Sequence, residues 1–137
     1  MNQSIGSNSE DSKWCDIPGY EGIYQISNAG VVKSLRRLSP QDRILPERLR
    51  YGTPTTRGVP YILINLRQDG VNKMASIHRL VAQAFVPNPE GKPQVGHLDN
   101  DPSNNNHWNL EWQTAKENID QRTEDQFRKD YAKLAKD

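Results

Sequence analysis

Apolar residues in this chain come in short bursts separated by polar turns, and the spacing inside each burst predicts the element it forms. Ile23-Tyr24-Gln25-Ile26 alternates as a half-buried strand does, Ser27-Asn28-Ala29-Gly30 supplies a turn, and residues 31–35 read as the returning strand. Trp14, Tyr20 and Tyr24 surround this hairpin, which is small enough to need all three for burial. Residues 61–66 and 71–77 flank Gln68-Asp69-Gly70, and Asp-Gly between strand-like runs signals a hairpin. From His78 to Phe85 the spacing turns helical, with Leu80, Val81, Ala84 and Phe85 on one side, and Pro87 and Pro89 end it. A last strand pair follows. A short apolar run ends in His97, a loop rich in Asp, Pro and Asn intervenes, and Leu110-Glu111-Trp112 leads to a helix start. There Thr114 and Glu117 have the spacing of a capping box, which puts Asn118 in the helix's first turn.

Other stretches lack such periodicity. Residues 1–12 are Ser-, Asn- and Gly-rich and read as a disordered leader. Residues 36–58 hold Pro40, Pro46 and Pro54 and read as a connector, with Ile44, Leu45 and Leu49 able to form a short strand or anchor. The division expected is a leader (1–12), a hairpin module (13–38), a basic connector (39–58), a second unit (59–122) and a charged C-terminal helix (123–137). The fold class expected is α+β.

Composition narrows the possibilities. Apolar residues make up 34% of the 137 residues and the mean hydropathy is -0.91, so loop and polar contact surface must be extensive. No apolar run approaches the ~20 residues of a membrane span, and no signal-peptide pattern opens the chain. These features predict a cytoplasmic protein with no membrane partner. The single cysteine, Cys15, rules out an internal disulfide and a thiolate zinc cluster, and only three histidines argue against any structural zinc. Cys15 reads as a small buried filler.

The net charge of +1 conceals a strong segregation. Residues 33–79 carry ten Lys or Arg against Asp42, Glu47 and Asp69, or 10 − 3 = +7, while the flanking thirds are each −3. Most of those ten are Arg, whose fork matches phosphate oxygens and guanine edges. A basic block of this kind is the footprint expected for a nucleic-acid backbone.

Candidate chemistry concentrates in residues 95–119. A neutral imidazole such as that of His97 can take a proton from water, a side-chain amide can hold the ring in one tautomer, and an oxygen ligand can help hold a hard divalent cation. His97, Asp99, Asn104-Asn105, Asn109-Leu110-Glu111-Trp112 and Glu117-Asn118 follow in the order and spacing of the ββα-metal core of HNH endonucleases, which this stretch resembles. The His-Arg-Leu-Val-Ala-x-x-Phe string upstream matches the same family. Trp14 to Leu35 resembles a NUMOD-type module found attached to such nucleases. Of the other histidines, His78 reads more readily as structural than as a phosphate contact, and His107 as an exposed loop residue.

The resemblance implies a metal-dependent DNA endonuclease, of phage or mobile-element origin, acting on double-stranded DNA as a monomer or homodimer. It implies His97 as general base, Asn109 as the residue that orients it, and Asn118 as a ligand for one Mg²⁺ or Mn²⁺. Gly96 stands where the family supplies a further Asn or Asp ligand, and has no side chain to offer. Two readings stay open: a nuclease in which a water, Asp99 or Asp101 fills the gap, or a DNA-binding protein weakened or inactive on the same scaffold. The DNA-contact set expected is Arg36, Arg37, Arg43, Arg48, Arg50, Arg57, Arg67, Lys73, His78 and Arg79.

Overall fold

The structure, a computed structural model, describes residues 12–121. The expected leader, apart from Ser12, and the expected C-terminal extension lie outside the described residues. Three strands form the N-terminal hairpin region: β1 (Trp14–Asp16), β2 (Tyr24–Ser27) and β3 (Val32–Ser34). They pair antiparallel in the order β1-β2-β3 and are joined by β6 (Arg48–Arg50), which pairs with β3. Within the connector, β4 (Arg37–Leu38) pairs with β5 (Ile44–Leu45). The connector is therefore more ordered than its prolines suggest. They sit at strand ends and turns, where a missing N–H costs no ladder bond.

A second sheet has the order β7-β8-β9, from β7 (Thr53–Pro54), β8 (Ile62–Gln68) and β9 (Val71–Ser76). Its hairpin turns on Asp69 and Gly70, both at positive φ (52° and 76°), as a type I′ turn demands. Helix α1 (Ile77–Phe85) follows β9 directly and packs against β2, β8, β9 and the last strand pair. Its Ile77, Leu80, Val81 and Ala82 are buried, while Ala84 and Phe85 pack against the rim of the core. That pair is β10 (Gln94–His97) with β11 (Leu110–Gln113). Helix α2 starts at residue 115.

One apolar cluster runs through all of this. It takes Ile17, just past β1, with Tyr24, Ile26 and Val32 from the first sheet, Ile64 and Leu66 from the second, and Val95 and Leu110 from the last pair. Tyr20 packs edge-on against Tyr24, whose hydroxyl accepts the Arg67 backbone N–H at 3.1 Å, while Trp14 lies under Lys33. Trp14, Tyr20 and Cys15 are half-buried. Among the described residues, no helix is long and apolar enough to cross a membrane.

Candidate functional site

The site is built at the end of β10. In the register of that pair His97 faces Leu110, Gly96 faces Glu111 and Gln94 faces Gln113. Between the strands the polar loop closes through side-chain oxygens. Asp99 accepts from the Asp101 backbone N–H (2.8 Å) and from the amides of Asn104 and Asn109 (both 2.9 Å), and Asp101 caps Ser103. Desolvation alone would raise the carboxyl of the exposed Asp99. The bonds from Asn104, Asp101 and Asn109, with His97 nearby, outweigh it and hold the group below the usual carboxylate range. The loop is thus wired by its acids and asparagines, with Asp99 and Asp101 both accepting hydrogen bonds from within it.

His97 is buried, and its Nε2 lies 2.7 Å from Asn105 Oδ1. An oxygen acceptor there keeps the ring proton on Nε2, which leaves Nδ1 as the nitrogen able to accept one. Asn109 was expected to hold the ring, but the side chain on it is Asn105. Asn109 closes a 3₁₀ turn (His107–Asn109), and its amide is spent on Asp99 and the Asn104 carbonyl, while its own carbonyl accepts from Leu98 N–H at 2.8 Å. It fixes the loop that follows His97, and so acts on the histidine at one remove. The Asn104-Asn105 pair was the available signal for this contact, since a buried asparagine beside a buried histidine has one obvious use.

The rings of Tyr61, His78 and His97 form a cluster, with centroids 4.9 Å apart for Tyr61–His78 and 5.1 Å for His78–His97. Burial, then His97 and Arg79, lower the His78 pKa to about 4. His78 is therefore neutral near pH 7 and buried, which suits packing behind His97 and not a cationic phosphate contact. His107 is exposed.

Helix α2 brings the third expected residue. Its capping box forms as the spacing predicts: Thr114 Oγ1 accepts from Glu117 N–H (3.1 Å) and Glu117 Oε1 accepts from Thr114 N–H (2.8 Å). The Thr114 backbone and Lys92 hold the Glu117 carboxyl below its usual value. Asn118 is buried while Glu117, Ile119 and Asp120 are exposed. Three residues on, and hence on the same helix face, Gln121 donates to the His97 carbonyl at 2.6 Å. That bond turns the Asn118 face toward β10.

Gly96 has a crowded face. A Cβ built there would overlap Gln113, whose Oε1 and Cδ are its nearest neighbours and whose Nε2 would lie at 2.8 Å. Gln113 Nε2 donates to Gln121 Oε1 at 2.6 Å. Gln113 Oε1 is buried and accepts no hydrogen bond from any described residue. Among the described residues no group of three or more His, Cys, Asp or Glu could hold a metal ion. The donors gathered here are amide oxygens beside one imidazole, a hard set that fits a hard divalent cation completing its shell with water and phosphate.

Residues 13–67 match the NUMOD4 motif and residues 75–119 match the HNH endonuclease family. A solved structure described as "DNA binding and cleavage by the HNH homing endonuclease I-HmuI" shares 32% identity, over 90% of this chain and 68% of that one, with a TM-score of 0.62. This chain belongs to the HNH endonuclease family. Its similarity to the DNA endonuclease I-HmuI of Bacillus phage SP01 is 36% identity over 79% of this chain and 56% of the relative. An uncharacterized HNH endonuclease of Acanthamoeba polyphaga mimivirus is 49% identical over 43% of this chain, but over only 18% of its own length. The chain thus spans little more than half of one of these curated relatives and under a fifth of the other. HNH nucleases generally use a divalent metal.

The basic residues fall into two groups. Arg36, Arg43, Arg48, Arg57, Arg67 and Lys73 are exposed. Arg37 donates to Ser34 and the Leu35 carbonyl, Arg50 to the Asn65 carbonyl, and Arg79 to the Pro93 carbonyl while lying over the Trp112 ring. These last three brace the fold.

Proposed function

We propose that this HNH protein hydrolyses phosphodiester bonds of double-stranded DNA, with one divalent cation, Mg²⁺ or Mn²⁺, per site. The observation that carries the reading is the Asn105–His97 contact, which leaves Nδ1 of a buried, oriented imidazole as proton acceptor. In this mechanism His97 Nδ1 removes a proton from the attacking water, and Asn105 holds Nε2–H as the ring becomes charged. Asn109 and Asp99 keep the loop, and therefore the ring, from tilting. Asn118 offers an oxygen for the cation. When bound, that cation neutralises charge on the scissile phosphate and the departing 3′ oxygen. Exposed Arg36, Arg43, Arg48, Arg57, Arg67 and Lys73 supply the backbone contacts that hold the duplex. The relation to phage and viral endonucleases supports a phage or mobile-element origin, acting in the cytoplasm of the host cell.

Gly96 favours a second reading, DNA binding on this scaffold without turnover. Conversion of supercoiled plasmid in Mg²⁺ and in Mn²⁺, with His97→Ala as blank, separates the two. Nicked or linear product above the blank supports hydrolysis; equal residual cutting with retained, salt-sensitive DNA binding supports the second reading.

A further inference from the structure

The orientation of Gln113 follows from a chain of hydrogen bonds anchored on the backbone. The His97 carbonyl can only accept, so the Gln121 group 2.6 Å away must be its NH₂. Gln121 then presents Oε1 to Gln113, which must answer with its own NH₂ at 2.6 Å. The remaining Gln113 atom, Oε1, is left buried without a donor. A buried acceptor without a donor is disfavoured unless something else meets it. That oxygen lies where a side chain at position 96 would begin: a Cβ on Gly96 would overlap it. Gln113 and Gly96 share one face of the strand pair, two residues apart in register, so an amide from β11 reaches the place that a side chain from β10 would take. A residue with a side chain at 96 and Gln113 in this rotamer exclude one another.

We propose that Gln113 Oε1 is the oxygen ligand that replaces the side chain absent at Gly96, so that Gln113 and Asn118 grip the divalent cation from strand and helix. The proposal rests on the nuclease reading above. Two neutral amides make a weak site for the metal alone, one that gains strength from a phosphate brought by DNA. The exchange also moves the second ligand off the residue adjoining the base. Gln113 is instead held by Gln121, the residue that clasps the His97 carbonyl, so metal ligand and base share one amide brace.

The test is Mn²⁺ binding to the full chain, alone and saturated with a duplex oligonucleotide, with free Mn²⁺ read by electron paramagnetic resonance and duplex alone as blank. Gln113→Leu is expected to raise the Mn²⁺ dissociation constant about tenfold or more, and Gln113→Glu to lower it, with circular dichroism and metal-free DNA affinity unchanged for Gln113→Leu. The carboxylate variant keeps the test valid should the leucine variant misfold. Wild-type Mn²⁺ affinity in both Gln113 variants, with loss in Asn118→Ala, overturns the proposal and leaves the nuclease reading standing. Binding absent in wild type but present in Gly96→Asp/Gln113→Ala also overturns it, because Gln113 then blocks the site. Binding absent from every variant removes the nuclease reading along with the proposal.

Discussion

The turn between β2 and β3 presses directly on the residue that holds His97. A Cβ on Gly30 would stand 3.0 Å from Asn105 Cβ, and the Asn28 carbonyl accepts the His107 N–H at 2.8 Å. The loop carrying Asn105 is thus shaped from two sides: by Asp99 and Asn109 within the HNH segment, and by a turn in the segment that matches NUMOD4. The N-terminal hairpin helps set the site as well as extending the surface.

Asn105 and Asn109 should be separable by experiment. Asn105→Ala removes the acceptor from a buried imidazole N–H, a loss of about 1–3 kcal/mol, and frees the ring to change tautomer. Cleavage is expected to fall about 10²-fold, within the range of general-base effects, with DNA affinity nearly unchanged. Asn109→Ala breaks the bonds to Asp99 and Asn104, so its larger effect should be on thermal stability. Plasmid-nicking rates and melting curves measured on both variants check this. A greater melting loss in Asn105→Ala would reverse the assignment.

Stability against pH should show two separate acid limbs. His78 has its pKa lowered from 6.5 to about 4, so between those values the unfolded chain binds a proton that the folded chain refuses. Stability is therefore lost as pH falls from 6.5 to 4, by on the order of 3 kcal/mol, and no further below. Asp99 has its carboxyl depressed, so its contribution is present above 3.8 and is lost only as pH drops through its lower folded value. In urea titrations from pH 7 to pH 3, His78→Phe, which keeps a ring against Tyr61, should flatten the upper limb alone.

The basic residues should divide by salt dependence. Replacing exposed Arg36, Arg43, Arg48 or Arg57 by Gln is expected to weaken DNA binding and reduce the slope of log K against log salt by about 0.9 for each phosphate that the protein no longer neutralises. Arg50→Gln instead leaves the Asn65 carbonyl without its guanidinium donor, and Arg37→Gln or Arg79→Gln gives up the stacking over Tyr24 or Trp112. Those variants should lose melting temperature at nearly constant slope. Fluorescence anisotropy at several salt concentrations reads the slope.

Local rules reached far into this chain. The alternation around Tyr24, the Asp69-Gly70 turn, the helical spacing of Leu80 and Val81 and the capping box of Thr114 and Glu117 are short-range signals, and the corresponding elements are present. The α+β class followed from them, while the family was legible in the resemblance of the string from His97 to Asn118 to HNH endonucleases. Three features depend on contacts between segments far apart in sequence. Strand β6 joins the first sheet because Leu49 and Arg50 find partners in Lys33 and Val32, which no local pattern announces. Asn105 rather than Asn109 meets the ring because the 3₁₀ turn points Asn109 into the loop. Gln113 had no visible role, since only the pairing register brings it onto the face of Gly96.

Gly30 offers the sharpest test of communication between the two matched segments. Its φ is +86°, so an alanine there is strained by about 1–2 kcal/mol before any contact is counted. The added methyl also meets Asn105 Cβ at 3.0 Å, the Asn105 carbonyl at 3.3 Å and Ile77 Cγ2 at 3.3 Å. Ile77 is buried in the core at the start of α1, so the asparagine loop is the side with room to give. Gly30→Ala should therefore lose stability through the strain and lose cleavage through a displaced Asn105, with DNA affinity affected least. The two losses separate in a double-mutant cycle. In an Asn105→Ala background the Gly30 change should still lower the melting temperature but no longer lower the cleavage rate. A cleavage loss that persists there in full would mean that the turn acts on the site by some route other than Asn105.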